Sequence, residues 1–366
     1  MRTLEFQVKK AAQPLTDKWQ HLPIAPRGAT LLGISFRPLQ SAAFGLDVQT
    51  TLQELLAYPF QLIRLGAYWN RIEPEPGVFN TDELDWQLET AEQAGKQIIL
   101  CLGPLKTFGY PEFFVPAHYL QNPFPEGKLI KPSAYSSLLS AATGFITRLV
   151  ERYRKRKSIV AWQLEHEAVD PLGVEHSWRL DAVFIEREAQ ALRKADPSRP
   201  LMMNGFLPTS LPVRLTQWWR TRDQGDSLAI AWRLADMVGV DYYPRNALLA
   251  LGNRTLYLDG SRSTWLKQKR QQLLAKASTL GKRLLVSEGQ AEPWETVTTP
   301  PNPESQGMYS CLPEHVISNY NSWLGAPGQH TALYAYLFWG AEYWLLRKHA
   351  ADASYLRAFA RILEKA

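Results

Sequence analysis

Two acidic side chains at predicted strand ends are the residues of this chain best placed to do chemistry. The first follows the buried run Ile159–Leu164, which leads into Glu165-His166-Glu167. The second, Glu288, follows the apolar run Arg283–Ser287. Near-continuous apolar runs of this length are typical of strands that are covered on both faces. A core strand that ends in titratable side chains indicates a functional site at that end.

The chemistry available to Glu167 and Glu288 depends on how far apart the fold places them. Two carboxyl groups facing each other across a cleft are the minimal apparatus for hydrolysing a glycosidic bond. At a separation of roughly 5–5.5 Å one carboxylate attacks carbon while the other transfers protons, whereas at roughly 6.5–9.5 Å a water fits between them and the reaction inverts. The residues alone leave both geometries open. Either Glu taken singly is more often an ion-pair partner or a helix cap, and the pair on the expected strands indicates a function.

The elements that must bring these residues together alternate between strand and helix, which is the pattern of a parallel sheet. Eight strands are predicted, at Thr30–Phe36, Phe60–Leu65, Gln97–Leu102, Ile159–Leu164, Pro200–Asn204, Met237–Asp241, Arg283–Ser287 and Ala332–Phe338. Helices are predicted at Val48–Ala57, Thr81–Ala94, Ser133–Arg154, Trp178–Ala195, within Pro208–Ala235, and at Thr264–Leu280, Pro313–Leu324 and Tyr355–Lys365. Eight strand–helix pairs predict an α/β fold, a single (β/α)8 TIM barrel, whose active site lies at the C-terminal strand ends.

We expect one catalytic domain over residues 1–366, with residues 1–29 as an N-terminal extension that packs on the barrel. Two long segments follow the third and seventh strands, Gly103–Pro132 and Gly289–Pro313, and both are rich in proline and aromatic residues. We predict that these elaborated loops form ordered walls around the mouth of the barrel.

Composition excludes several other classes of protein. The formal net charge is +6, but the basic residues are scattered, and their densest run, Arg152–Lys157, lies where a helix ends and complements its dipole. We therefore expect no nucleic-acid partner. No signal peptide or apolar run long enough to span a membrane is visible, and two cysteines are too few for a disulfide framework, so a cytoplasmic setting is expected. The sequence has no Gly-rich phosphate loop, His-Glu-x-x-His spacing or Cys/His cluster, and therefore predicts no cofactor and no metal.

Three segments resemble motifs of the clan A glycoside hydrolases, the group that contains families 5, 35 and 42. Trp69–Gly77 is similar to the loop after their second strand, and Trp162–Glu167 resembles their Trp-Gln-x-x-Asn-Glu motif. Ser287-Glu288 closes the seventh strand as their nucleophile does. The resemblance implies a retaining double displacement at a β-type glycosidic bond, with Glu288 as nucleophile and Glu167 as general acid/base. It also implies a glycoside or oligosaccharide substrate and no cofactor.

His166 departs from this resemblance, because those families carry Asn at that position. Their Asn hydrogen-bonds the sugar 2-hydroxyl in the transition state, an interaction worth several kcal/mol. Histidine can still donate a hydrogen bond, but it is bulkier and titrates near neutrality. The protein then reads an altered substituent, or its activity is weakened, or His166 only packs beside the site. The alternatives to hydrolysis are a catalytically weakened or inactive carbohydrate-binding barrel and a metal-dependent hydrolase.

Other residues are predicted to line the site by the same resemblance. Arg64 interrupts an apolar strand and is expected to pair with Glu288, the alternative being a structural ion pair elsewhere. A phenol after the sixth strand is expected on the nucleophile, and Tyr243 is preferred to Tyr242. Trp339, at the end of the eighth strand, resembles the indole platform beneath the sugar. The residues expected to bind substrate are Arg64, His166, Tyr243, Trp339, Asn204 and Trp69.

Four further residues keep open roles. Asn204 ends the fifth strand and is either a polar contact or a turn residue. Glu165 is expected to support the site from behind rather than to act in catalysis. Glu292 is the rival nucleophile, and either Glu292 or Trp294 could line the cleft. The sugar that is cleaved, exo or endo action and the oligomeric state do not follow from the sequence.

Overall fold

Eight parallel strands close into a barrel in the computed structural model of the protein, which describes residues 17–109, 111–120, 124–170, 176–251, 254–261, 263–293, 310–324 and 333–366. The strands are β1 Leu31–Ser35, β2 Leu62–Gly66, β3 Gln97–Gly103, β4 Ile159–Leu164, β5 Leu201–Phe206, β6 Met237–Tyr242, β7 Arg283–Gln290 and β8 Leu333–Trp339. Each strand pairs in parallel with its neighbours in chain order, and β8 pairs with β1. The predicted single (β/α)8 barrel is confirmed.

Helices surround the barrel in the described part of the chain. They are α1 Pro38–Ala43, α2 Val48–Leu56, α3 Trp69–Ile72, α4 Asp82–Gln93, α5 Ser136–Tyr153, α6 Ala182–Ala195, α7 Leu211–Thr221, α8 Ser227–Leu234, α9 Thr264–Leu280, α10 Pro313–Leu324, α11 Ala341–His349 and α12 Ser354–Lys365. None of the helices in these ranges is long and apolar enough to cross a bilayer. The stretch Pro208–Ala235, for which at least one helix was expected, contains both α7 and α8.

Several boundaries differ from the prediction for local reasons. The seventh strand continues past Ser287 to Gln290, because its register shifts after Val286 and pairing resumes at Glu288 and Gly289. Helix α6 begins at Ala182, since the Asp181 side chain caps it by accepting a hydrogen bond from the Val183 amide. Elements that were not predicted include the short helices α1, α3 and α11, and an antiparallel hairpin of Arg245–Leu251 with Arg254–Asp259.

The barrel interior is built in two layers because side chains alternate along each strand. The lower layer is apolar and takes its residues from seven strands: Leu62, Ile99, Ala161, Met202, Met237, Leu285, Ala335 and Leu337. Two positions further along several of the same strands, the inward residues are polar. They are Arg64, Gln163, Asn204 and Ser287, and Asp241 belongs to the same level. The alternation of side chains along the strands therefore places a polar layer above the apolar one, at the end of the barrel that carries the mouth.

Residues 17–29 lie against the last helices. The Trp19 carbonyl accepts a hydrogen bond from Arg361 of α12, and the Ala25 amide and carbonyl bond Asn321 and Tyr320 of α10. The described end of the N-terminal segment is thus fastened to the barrel. Of the loop after β7, residues 289–293 and 310–312 are described and the rest lies outside the described residues.

Gly33 of β1 is where the barrel interior leaves no room for a side chain. A Cβ at this position would lie 1.8 Å from the carbonyl oxygen of Leu62 on the neighbouring strand. We expect Gly33→Ala to lower the free energy of unfolding by about 3 kcal/mol. The matched control is Gly144→Ala in α5, where a Cβ meets nothing within 4 Å and a helix gains about 0.5–1 kcal/mol from Ala. Thermal or denaturant unfolding measures both variants, and equal effects would contradict the packing argument.

Candidate active site

Glu288 lies on β7 with three hydrogen-bond donors around its carboxylate. Arg64 Nη1 and His166 Nε2 both lie 2.8 Å from Oε1, and the Tyr243 hydroxyl donates to Oε2 at 2.7 Å. The shift in register after Val286 places Glu288 opposite Asp241 of β6. The carboxylate is thus held at both oxygens, and it is 2% exposed.

These donors decide the protonation state of Glu288. Burial alone would raise the pKa of its carboxyl, but the charge and hydrogen bond of His166 and those of Arg64 outweigh burial and lower it to about 2. Glu288 is therefore an anion throughout the neutral range. Burial and the neighbouring anion raise the pKa of the Tyr243 phenol well above its ordinary value, so this hydroxyl stays a donor.

Glu167 is presented by an unusual backbone after β4. The strand ends at Leu164, and Glu165 and Glu167 then adopt left-handed φ angles of 50° and 45°. Non-glycine residues adopt this region at a cost, and it is typical of functional sites. Lys106 holds the turn, since its carbonyl accepts from the His166 amide and its ammonium donates to the Glu167 carbonyl. The main chain around Glu167 is thus fixed, and the residue as a whole is 9% exposed.

The environment of Glu167 favours its protonated form. Burial is the largest cause, and the nearby carboxylates of Asp241, Asp170 and Glu288 add to it, so the pKa of Glu167 lies well above its ordinary value. Two buried carboxyls next to the mouth therefore have their proton affinities displaced in opposite directions. The surroundings favour the protonated acid at Glu167 and the anion at Glu288.

Hydrogen bonds connect the polar layer across five strands. Arg64 Nε donates to Gln163 Oε1 at 2.7 Å, and Gln163 Nε2 donates to Asn204 Oδ1 at 2.9 Å. Asn204 Nδ2 donates to Asp241 Oδ2 at 2.6 Å, and the Ser287 hydroxyl donates to Asp241 Oδ1 at 2.7 Å. This chain of hydrogen bonds, which we call the polar ring, holds the Arg64 guanidinium through Nε, while Nη1 binds Glu288.

Asp241 closes the polar ring close to both His166 and Glu167. Burial, and after it the charge of Glu288, raises the pKa of Asp241 to about 7. One ligand atom from each of His166, Glu167 and Asp241 lies within 4.8 Å of the other two, so these three residues could hold a metal ion. This possible metal site overlaps the candidate active site, because it includes Glu167, the predicted proton donor, and His166, which binds Glu288.

A second carboxyl pair lies behind Glu167. Glu165 accepts hydrogen bonds from the Leu105 and Lys106 amides at 3.0 and 2.6 Å, which ties the segment after β3 to the end of β4. Its other neighbour is Glu188 of α6, which is 0% exposed. Burial and the Glu165 charge raise the pKa of Glu188 well above its ordinary value, and burial raises that of Glu165 to about 7. Because two carboxylates bring no hydrogen of their own, the pair holds together by keeping a proton.

Trp339 ends β8 beside a buried ion cluster. The Arg37 guanidinium lies 4.3 Å from the Trp339 ring centroid, and the Phe108 ring meets the indole edge-on at 6.1 Å between centroids. Arg37 also donates to both oxygens of Glu292, at 2.6 and 2.9 Å, and to Glu342. Glu292 is 2% exposed, and the Arg37 guanidinium, which also binds Glu342, bonds both of its oxygens.

One of the residues expected to bind substrate does not lie in the candidate active site. Trp69 is the exception: it is fully buried, stacks on Phe145, and its indole N–H donates to Glu73. The expectation that Trp69 contacts substrate is wrong, because its ring packs in the core outside the barrel. Asn204 lies in the polar ring, and Tyr242 is buried beside Arg270. Trp294 lies outside the described residues.

A family model for the glycoside hydrolase family 42 β-galactosidases matches residues 48–177 of this chain. The chain resembles the clan A glycoside hydrolases. No curated protein sequence matches it.

Among solved structures, xylanase 10B of Thermotoga maritima has a TM-score of 0.55 at 15% identity, over 92% of this chain and 95% of its own. A family 5 protein of Streptomyces cattleya solved with GlcNAc has a TM-score of 0.59 at 14% identity, over 92% and 80%. The β-galactosidase of Rahnella sp. R3 has a TM-score of 0.57 at 13% identity, over 96% and 57%. At these identities the structures show that the fold is shared.

Sequence reasoning assigned no role to several residues that the structure places in the site. Gln163 and Asp241 complete the polar ring, Lys106 holds the turn that carries Glu167, and Glu188 faces Glu165. Gln163 and Asp241 could have been recognised from the sequence as site residues, since each is a polar residue near the end of an otherwise apolar strand. Lys106 and Glu188 carry no such signal, because each lies in a segment that is remote in sequence and reaches the site through the fold.

The carboxyl pair of Glu165 and Glu188 predicts a pH dependence of stability. Their folded pKa values are raised above the ordinary value of about 4.3, so the folded state binds more protons and loses stability as pH rises toward and beyond 7. We expect Glu188→Gln, whose amide donates to Glu165 at every pH, to flatten the fall in melting temperature between pH 5 and about 9. Glu186→Gln, on the same helix but paired with Arg233 at the surface, is the control. Parallel melting curves for Glu188→Gln and the unaltered protein would contradict a shared proton.

Proposed function

We propose that this protein is a retaining glycoside hydrolase that cleaves a β-type glycosidic bond, with Glu288 as nucleophile and Glu167 as general acid/base. The observation that carries the proposal is that two buried carboxyls lie at the end of the barrel where such sites form, Glu167 just after β4 and Glu288 on β7 with Arg64, His166 and Tyr243 on its oxygens. The opposite directions in which their surroundings displace the two pKa values support it. One group is supplied as a proton donor and the other as an anion, as double displacement requires.

In the first step the Glu167 carboxyl gives its proton to the glycosidic oxygen as the bond to the leaving group breaks. A Glu288 oxygen attacks the anomeric carbon, and the sugar becomes an ester of Glu288. Arg64, His166 and Tyr243 hold the attacking carboxylate in place through the contacts already described. Holding the nucleophile lowers the entropy cost of reaching the transition state.

The second step uses the change in charge that the first step causes. Esterification removes the negative charge of Glu288, so one of the carboxylates that raised the pKa of Glu167 is gone. Glu167, now ionised, can take a proton from a water molecule, and the hydroxide formed attacks the anomeric carbon. The ester bond breaks, Glu288 regains its charge and the pKa of Glu167 rises again.

The names of the similar proteins agree with a carbohydrate substrate. The matching family model is described as β-galactosidase, and the fold is shared with a xylanase and with a family 5 protein solved with GlcNAc. Trp339, with a flat apolar face and a polar edge, is proposed as the surface on which the sugar ring at the cleavage point lies.

Covalent trapping tests the assignment of the nucleophile. We expect a panel of β-linked 2-fluoro glycosides with good leaving groups to yield one stable glycosyl-enzyme, located on Glu288 by peptide mass mapping. Glu288→Gln should abolish labelling and lower kcat at least about a thousandfold, because an amide is a far weaker nucleophile. Glu292→Gln is the matched control and should still be labelled. A label on any other residue would overturn the assignment.

The alternatives give different outcomes in the same experiment. A carbohydrate-binding barrel without turnover would bind sugars but give no label and no release of aryl groups. A metal-dependent hydrolase, which the His166, Glu167 and Asp241 group could serve, would lose its activity with a chelator. Cleavage that resists chelation together with a label on Glu288 would exclude both.

His166 should control the acid limb of the pH profile. It is the largest favourable influence that lowers the pKa of Glu288, so removing it raises that pKa. We expect His166→Ala to shift the acid limb of kcat/KM to higher pH, because the nucleophile then protonates more easily. His166→Asn keeps a neutral donor and should shift the limb less. An unchanged acid limb in His166→Ala would show that His166 does not govern the nucleophile.

A further inference from the structure

One helix carries an exposed aromatic surface that the proposed mechanism does not use. Four large apolar residues of α7 face outward at helical spacing, namely Leu211, Leu215, Trp218 and Trp219. The two indoles are 58% and 62% exposed. Contiguous exposed apolar side chains of this size are uncommon on a protein surface and mark a place where something binds.

Helix α7 belongs to the mouth of the barrel. It is inserted between the end of β5 and α8, and α8 is the helix that packs on β5 and β6. Its inward residue Gln217 donates to Asp170 at 3.0 Å, and Asp170 also accepts from the amide of Phe206 at the end of β5. Asp170 lies in the loop that begins at Glu167. The inner face of α7 is therefore fastened to the segment that carries the proposed acid.

The two tryptophans form an angled pair of flat surfaces. Their ring centroids are 6.4 Å apart and their planes are inclined by 60°. The Arg222 guanidinium lies 4.2 Å from the centroid of the Trp219 ring and covers one of its faces. Trp219 is thus held in position from one side, and among the described residues the two indoles remain 62% and 58% exposed for stacking. Indole faces suit sugar rings, whose C–H groups are apolar and whose hydroxyls point outward.

The size of this surface argues against a second copy of the chain as its occupant. The two indoles together present roughly 300 Å², and the two leucines add less than that. A stable interface buries about 800 Å² on each partner. The helix is also fixed to the barrel by its polar side, so its apolar residues form a small rigid patch next to the mouth.

We propose that Trp218 and Trp219 form a secondary sugar-binding platform, which stacks neutral rings of a long carbohydrate chain away from the bond that is cleaved. This inference rests on the proposed function for its substrate class and adds to it that long chains are bound. The platform increases the residence of polymeric substrates on the protein and leaves the chemical step unaltered. Short aryl glycosides, which do not reach α7, are not affected by it.

Affinity electrophoresis in gels that contain soluble xylan, mannan or galactan tests the platform without requiring hydrolysis. We compare the unaltered protein, the double variant Trp218→Leu/Trp219→Leu, which keeps apolar side chains but loses the flat rings, and Trp218→Phe/Trp219→Phe, which keeps rings. We expect at least one polysaccharide to retard the unaltered protein, an apparent affinity about tenfold weaker for the Leu variant, and an intermediate result for the Phe variant. Circular dichroism and thermal unfolding confirm that the variants fold.

Kinetics separate this proposal from the proposed function. The Leu variant should keep its kcat/KM on aryl glycosides and lose about tenfold in kcat/KM on the polysaccharide that binds. Failure to label Glu288 would overturn the proposed function, while retardation in the gel would still support the platform. No retardation by any of the three polysaccharides, or equal retardation of the Leu variant, would overturn the platform. So would a dimer in sedimentation that the Leu variant lacks, or binding to phosphatidylcholine/phosphatidylglycerol vesicles that the Leu variant loses.

Discussion

The structure depends on keeping one buried carboxylate ionised. Glu288 is almost inaccessible to water, and burial of an unpaired charge is costly enough to make a group take up a proton instead. The Arg64 guanidinium compensates for this cost, and Arg64 is itself fully buried. An ion pair in this position is stable only if the remaining polar atoms of both partners are largely satisfied. The polar ring supplies part of this, because Gln163 accepts from Arg64 and donates to Asn204, which in turn donates to Asp241.

The need to pair Arg64 and Glu288 explains why the side chains inside the barrel change from apolar to polar within two residues along a strand. Below the level of Arg64 the strands contribute apolar side chains that fill the barrel, and at its level five strands contribute polar ones. Alternation along the strands brings these polar side chains to one height, so that they bond one another around the barrel. A polar group in this layer without a partner would lower stability by about 1–3 kcal/mol, which makes the layer an interdependent unit.

Much of this could be predicted from the sequence because it follows from short-range patterns. The near-continuous apolar runs that alternate with helical segments predicted the barrel, and the acidic residues that end two of these runs placed Glu167 and Glu288 at the same edge. Arg64 was recognisable as a charge within an apolar run. The prediction for Trp69 failed because a motif shared with other proteins fixes where a loop begins but not which way its tryptophan points. In this chain Phe145 of α5 and Glu73 take the indole into the core.

Other features could not be predicted because they depend on contacts between segments far apart in the chain. The left-handed turn that carries Glu167 is stabilised by Lys106 and by the amides that Glu165 accepts, and all of these come from the segment after β3. Nothing in the local sequence of Glu165-His166-Glu167 favours that backbone. The strain at two non-glycine residues is therefore balanced by tertiary hydrogen bonds, and the local pattern shows only that the strand must end.

The histidine at position 166 has a consequence that an asparagine could not produce. Its Nε2 lies 2.8 Å from Glu288, and its ring also lies close to the carboxyls of Glu167 and Asp241. An amide in this place would donate a hydrogen bond without carrying charge. An imidazole can add a positive charge beside these three carboxyls, and that charge lowers the pKa of Glu288 and opposes the rise in that of Asp241. Histidine at this position therefore changes how the site balances its charges while it keeps a hydrogen-bond donor on Glu288.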